Sequence, residues 1–423
     1  MDAKQIRRLK PKLRSFLKQF DDCFARKDTR GHFPKYVEGQ LSDLERKSVE
    51  PIALKAGVPV RTLQEFVSQH RWDHERMRSR LHEIVIRDHA HPRSIGIIDE
   101  TSCVKKGTKT PGVQRQHCGA VGKHENCIVT VHLAYAAEDF HCLIDGDLYL
   151  PESWSDDRSR CREAGIPDEA VYRPKTEIAL ELYDRARAAG IEFAWLTFDE
   201  WYGAKPHFLR ALDQRGQNFV AEVHKRFSAW IDPPRVTWRP YRRGGRGRTV
   251  PRVVCGSARP WFVEDMLKYH PALCDQSWQP WRVKDGEKGP MVWEIKHVMI
   301  YPKNEEGIPK KPYHLIVARN VLKPEEIKYF VSNAPLEEPV RHILLVAFSR
   351  WRIERCFEDQ KGEIGLDHYE GRRWLGLQRH LVLSAVSYLF LAKTHQGLRG
   401  KKSGVDGVPS AYSDGGRGEI MVA

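Results

Sequence analysis

At 423 residues the chain exceeds the roughly 250 to 300 at which single cores stop growing, so two or three domains are expected. With 41% hydrophobic and 30% charged residues, and no apolar run judged to approach the roughly 18 needed to span a bilayer, a membrane protein is not expected. A formal charge of +14 is unusual for an enzyme of small anionic substrates and natural for one that neutralises many phosphates, which makes nucleic acid the first partner to consider.

The segment Met1 to Lys18 is amphipathic and basic and has no apolar core followed by small residues, so it does not read as a secretory signal. Nine cysteines are scattered without a C-x-x-C pair, as expected for reduced thiols in a cytosol. From Ala3 to His91 apolar residues such as Leu9, Leu13, Phe16, Leu17 and Phe20 recur at three and four, predicting a helical domain over 1–92. Within it, Val49 to Ala56, Gly57, and Val60 to His70 outline either a helix-turn-helix or a plain helical hairpin.

A different period opens at Ser94. Ile95 to Ile98 reads as a buried strand ending at Asp99, followed by strands Ile128 to Ala136 and Phe140 to Tyr149. A helix is predicted over Lys175 to Ala189, and a buried strand Phe193 to Phe198 ends at Asp199. A helix from Lys205 to Gln214 and a strand Phe219 to Val223 complete a mixed α/β first part, 93–223. The Pro- and Gly-rich stretch 224–335 reads as an inserted β subdomain, with strands at Arg252 to Cys255, His297 to Tyr301, Tyr313 to Ala318 and Ile327 to Val331. Helical periodicity resumes over Glu337 to Glu363 and Leu375 to Ala392, giving a second part, 336–395. The Gly- and Ser-rich tail, 396–423, is expected to be flexible.

Phosphodiester cleavage by two metals needs convergent carboxylates. Asp99 and Asp199 each close an apolar strand, and ligand sites in α/β sheets lie outside such ends. Arg350, Glu354, Phe357 and Lys361 are spaced at four, three and four, so one helix face would present Glu354 with basic flanks suited to phosphates. Taken alone, a strand-terminal Asp is more often a turn or cap residue. His117, Cys118, His124 and Cys127 match no common tetrahedral spacing and read as ordinary packing, not as a zinc site.

Three blocks of sequence resemble the DDE transposases of bacterial insertion sequences. Arg350-Trp351-Arg352-Ile353-Glu354 with Lys361 resembles their R-x3-E-x6-K signature. Ile98-Asp99-Glu100-Thr101-Ser102, with Lys105-Lys106-Gly107 and Gln116-His117-Cys118-Gly119, resembles the first-Asp block, and Thr197 to Gly203 the second. The full signature carries a Tyr three residues before the Arg, where this chain has Ala347.

The resemblance implies a ribonuclease-H-like α/β fold with a β-rich insertion, and a catalytic and metal-holding set of Asp99, Asp199 and Glu354. It implies two Mg2+ ions, with Mn2+ as a substitute. The activity implied is cleavage at terminal inverted repeats of double-stranded DNA and joining of 3′ ends to target DNA by a homodimer in synapsis, in a bacterial cytoplasm at the nucleoid.

DNA contacts are expected from Arg350, Lys361, Lys105 and Lys106, and from Trp351 and Trp201, whose rings could stack on an extruded base. The loop bearing Arg239, Arg242, Arg243, Arg246 and Arg248 is suited to phosphates. Glu100 and Glu200 are second-choice ligands. Two other functions stay open: a transposase-derived DNA-binding protein, and a nuclease of the same fold that never joins strands.

Overall fold

The computed structural model describes residues 3–240, 249–286 and 289–399. Five helices come first: α1 (Ala3–Lys18), α2 (Lys27–Gln40), α3 (Val49–Lys55), α4 (Val60–Ser68) and α5 (His74–His89). The turn between α3 and α4 needs a left-handed residue, and Gly57 supplies it at φ 64°.

Strands β1 (Ile95–Val104), β2 (Gln114–Cys118), β3 (Lys123–Ala137) and β4 (Phe140–Tyr149) follow. Next come α6 (Glu152–Ser155), α7 (Arg158–Ala164), α8 (Lys175–Ala188), β5 (Trp195–Phe198), α9 (Glu200–Gly203), α10 (Pro206–Gln214) and β6 (Phe219–Val223). The middle of the chain adds β7 (Ser228–Trp230), β8 (Val236–Pro240), β9 (Thr249–Val253), β10 (Trp261–Phe262), α11 (Val263–Tyr269) and α12 (Pro271–Cys274). It continues with β11 (Gln279–Gly286), β12 (Gly289–Pro302), β13 (Tyr313–Asn320) and β14 (Ile327–Ser332). Helices α13 (Val340–Ala347), α14 (Trp351–Asp359) and α15 (Trp374–Arg399) close the described chain.

The fold is mixed α/β, a large mixed sheet flanked by helices. Its central order is β4-β3-β1-β5-β6: β3 is antiparallel to β1 and β4, whereas β5 is parallel to both β1 and β6. β6 pairs in turn with β14, so the strands of the β-rich stretch extend this sheet instead of forming a separate one; among the described residues, β8 and β9 alone pair apart.

Several elements differ from the sequence reading. β1 does not stop at Asp99 but runs on to Val104, because β3 pairs with it along its whole length. β2 was not foreseen: its residues are polar, and it is an edge strand paired with the start of β3. The stretch 224–335 holds two short helices, α11 and α12, and β12 is far longer than His297 to Tyr301. The long helix expected over Glu337 to Glu363 is broken: α13 ends at Ala347, α14 begins at Trp351, and a wide π-type turn spans Gln360–Ile364.

α15 lies between the sheet and the N-terminal helices. By length and composition it could cross a membrane, contrary to the expectation that no apolar run is long enough, but 83% of its apolar window is buried inside the protein. Buried polar bonds fasten it to α2: Tyr36 Oη is 3.0 Å from His380 Nδ1, and the Gln40 amide bonds both Ser384 and Ser387. Arg379 donates to the carbonyls of Phe66, Val67 and Trp72 while its guanidinium lies over the Trp72 ring. Leaving such groups unpaired would cost about 1–3 kcal/mol each, so the helical region and the sheet share one core. The tail from residue 400 lies outside the described residues.

Candidate active site

The site forms where one strand ends and its neighbour does not. β1 and β5 run parallel with Ile98 opposite Phe198; beyond Phe198 the chain leaves the sheet while β1 continues. Asp99 and Asp199 are the next residue on each, so their backbones are separated by about one strand spacing, ~4.8 Å.

Each aspartate has a local structural role as well. Asp99 Oδ1 accepts the Glu100 N–H at 2.7 Å. Asp199 is the N-cap of α9, its Oδ1 accepting from the Trp201 and Tyr202 N–H groups at 3.0 and 3.2 Å. The bland expectation of a capping aspartate is therefore realised at Asp199, in the same place as the convergence of charge.

α14 packs against β1 and β3 and brings the third carboxylate. Glu354 and Arg350 sit one turn apart, with Arg350 Nη1 2.8 Å from Glu354 Oε1; the same nitrogen lies 3.4 Å from Asp99 Oδ2. Two carboxylates from residues far apart in sequence thus share one nitrogen. Arg350 Nε also faces Glu222 Oε2 at 3.7 Å, and Glu222 Oε1 bonds Lys328 Nζ at 2.8 Å.

The electrostatics follow from this crowding. Burial pushes the Asp99 carboxyl up to about 7, the Asp199 charge adds to the rise, and Arg350 opposes it. Asp199 is raised too, again by burial first. Burial works against the charge on Arg350, but Glu354, Asp99, Glu222 and Asp199 outweigh it and raise its pKa.

The donor set is carboxylate oxygen throughout, which suits a hard divalent cation. A further carboxylate, Glu100, lies at the site: its Oε1 pairs with Lys175, and its buried Oε2 stands with the buried Tyr202 hydroxyl, whose pKa it helps to raise. The residues fit a metal chemically. In this arrangement, however, no three His, Cys, Asp or Glu side chains among the described residues are close enough to hold one, and the Arg350 guanidinium stands between Asp99 and Glu354.

The flanking residues divide. Trp351 and Trp201 are 40% and 37% exposed beside the carboxylates; the Trp201 ring lies between Lys175 and Lys205, 5.1 and 4.8 Å from its centroid. Lys361 lies beyond the end of α14, in the wide turn, so the expected continuous helical face does not reach it. Its Nζ donates to the Ser102 carbonyl of β1 at 3.1 Å, which leaves two donors.

Lys105 corrects an expectation. It is buried, and its ammonium donates to the Asp367 and Tyr369 carbonyls at 2.8 and 2.7 Å, so it braces a turn and cannot meet phosphate. Lys106 is exposed, as is Glu200. Arg239 is exposed on β8 next to Trp238; Arg242, Arg243, Arg246 and Arg248 lie outside the described residues.

Glu222 was missed. The available signal was a lone carboxylate in the otherwise apolar strand Phe219-Val220-Ala221-Glu222-Val223, one strand over from Asp199.

Comparison with known proteins gives the class: residues 19–290 match the DDE superfamily endonuclease family, and the chain belongs to that family. The match ends before α14, so the place of Glu354 rests on the geometry above. More particularly, the chain is 32% identical over 218 residues to a probable transposase for insertion sequence element IS701 from Microchaete diplosiphon, which bears out the resemblance to insertion-sequence transposases. The alignment covers 49% of this chain and 54% of that relative, so the chain spans about half the length of the curated relative it matches. Among solved structures, the NurA nuclease from Sulfolobus solfataricus aligns over 73% of this chain and 86% of its own, with 11% identity and a TM-score of 0.28, too low to carry an argument.

Proposed function

We propose that the chain is a divalent-metal-dependent insertion-sequence transposase, which cuts DNA at the terminal inverted repeats of its element and joins the 3′ ends to target DNA. The observation that carries the reading is the placing of Asp99 and Asp199 side by side on neighbouring parallel strands, with one Arg350 nitrogen shared between Asp99 and Glu354. The strand order β4-β3-β1-β5-β6, with the first three antiparallel and β5 and β6 parallel to β1, supports a ribonuclease-H-like core.

In this reading Asp99, Asp199 and Glu354 would hold two Mg2+ ions, or Mn2+ in their place. Bound there, the ions would supply Lewis acidity at the scissile phosphate and lower the pKa of an attacking water or 3′ hydroxyl. Asp199, fixed by its capping bonds, needs no rearrangement of backbone to present its second oxygen. Trp351, 40% exposed, would stack on a base displaced from the duplex, Trp201 would do so once Lys175 or Lys205 leaves its ring, and Lys361 and Lys106 would offer ammonium donors to phosphates.

The division of labour proposed is DNA recognition by the helical region 1–92, with α3 and α4 as its helix-turn-helix, and catalysis by 93–223 with 336–395. The stretch 224–335 would contribute Arg239 and its neighbours to DNA binding. Function would be in a homodimer at the bacterial nucleoid.

The test is cleavage of cognate element ends by Asp99→Asn, Asp199→Asn and Glu354→Gln. Each is expected to abolish cutting and to spare DNA binding; full cleavage by any one rejects that residue. A strand-transfer assay with precut ends separates a transposase from a nuclease that only hydrolyses.

A further inference from the structure

Arg350 stands where a phosphate ligand was expected, yet its side chain is only 21% exposed and turned onto carboxylates. Glu354, Asp99 and Glu222, from one helix and two strands, converge on its planar fork at 2.8, 3.4 and 3.7 Å. The guanidinium is a rigid, permanently charged group with donors along two edges, which lets one side chain satisfy three anions at once. Such a cation relieves the repulsion among these acids much as a divalent ion would. It is also larger: Mg2+ binds oxygen at about 2.0–2.1 Å, well inside the spacing of a hydrogen-bonded fork.

We propose that Arg350 is a placeholder cation. In the metal-free chain it keeps Asp99 and Glu354 apart on its fork, and it leaves them when divalent cations are bound, so that its charge becomes available to a DNA phosphate only in the loaded enzyme. Glu222 is the positioning residue that anchors its Nε. The proposal rests on the reading of Asp99, Asp199 and Glu354 as metal ligands and goes beyond it: metal and guanidinium compete for the same oxygens, so metal binding and the grip of Arg350 on DNA strengthen each other.

Glu222 is built to stay in place. Its second oxygen is held by Lys328 on β14. Its backbone is pressed by α9, where a Cβ on Gly203 would come within 2.1 Å of the Glu222 carbonyl oxygen. An anchor fixed in this way lets the arginine swing about its Nε edge without carrying the strand along.

The test is Mn2+ binding by the full chain without DNA, read from the paramagnetic resonance signal of free Mn2+. R350A is expected to bind about tenfold more tightly than the unaltered chain, and R350K more tightly by a smaller factor, since lysine keeps the charge but loses the fork. E222Q is expected to bind more tightly as well, although the field of a lost carboxylate alone would weaken binding. Free guanidinium ion added to R350A should weaken its Mn2+ binding back toward that of the unaltered chain. Unchanged affinity in R350A and R350K, or weaker binding in E222Q, overturns the proposal while leaving the metal ligands standing. If R350A does not fold, R350K and E222Q decide it. Mn2+ binding that D99N and E354Q leave intact would overturn both the placeholder and the ligand assignment beneath it.

Discussion

Replacing Asp99 by Asn is expected to stabilise the metal-free protein at pH 8 while destroying its capacity to bind metal. Burial first, then the Asp199 charge, pushes the Asp99 carboxyl up to about 7, against about 3.9 for a free aspartate. A raised folded value means that between those two pH values the native chain holds a proton that the unfolded chain has lost. Stability from this group therefore falls as pH rises through the window, and the penalty is complete above about 7.

Three pH units at 1.36 kcal/mol each set an upper bound of about 4 kcal/mol. Asn also loses the charged contact with Arg350, so a net gain of about 2 kcal/mol at pH 8 is the working figure. Thermal unfolding in EDTA at pH 5 and pH 8 reads it: the Asn variant should melt higher at pH 8, with the difference shrinking at pH 5. Added Mg2+ should reverse the ranking, since only the unaltered chain gains from ligation. A variant less stable than the unaltered chain at pH 8, or an offset independent of pH, refutes the reasoning.

Asp199→Asn keeps a capping acceptor and removes a buried charge, so it should melt no lower than the unaltered chain at pH 8 while losing metal-dependent cleavage; Asp199→Ala, which also loses the cap, should be about 1 kcal/mol less stable than Asp199→Asn, measurable by urea denaturation. Lys105→Met should lower stability by about 1–3 kcal/mol, through the two unpaired carbonyls it leaves, and leave DNA affinity in a gel-shift titration unchanged. Gly203→Ala should cost about 1–3 kcal/mol or more, as α9 is forced off β6, and should depress end cleavage with it. Trp351→Ala, at a side chain 40% exposed, should shift the melting point little but slow cleavage of paired ends more than of ends already unpaired at the tip.

The alternation of sheet and helix was legible because burial imposes periods of two and 3.6 that survive in the local sequence. What lay beyond it was non-local. Asp99 was found for an incomplete reason: the strand does not end there, because Glu100 to Val104 are held by β3, and the opening arises from β5 stopping at Phe198. The approach of Arg350 and Glu354 to Asp99 could not be read from spacing and entered only through motif resemblance. Lys105 was misplaced because proximity in sequence to Asp99 says nothing of the direction a side chain takes after the strand ends; here it turns inward onto Asp367 and Tyr369. The break between α13 and α14 lies inside an unbroken helical pattern, so periodicity alone could not show it. α15 was underrated because its buried serines and its His380 interrupt the apolar run, although each has a partner inside the protein.

The central claim is that Asp99, Asp199 and Glu354 close around divalent cations. A crystal structure of the chain with a cognate DNA end and Mn2+ tests it most directly through anomalous scattering. Metal peaks ligated by all three carboxylates are expected, with Arg350 withdrawn from between Asp99 and Glu354. Mn2+ bound elsewhere, with Arg350 still bridging those two residues, would contradict it.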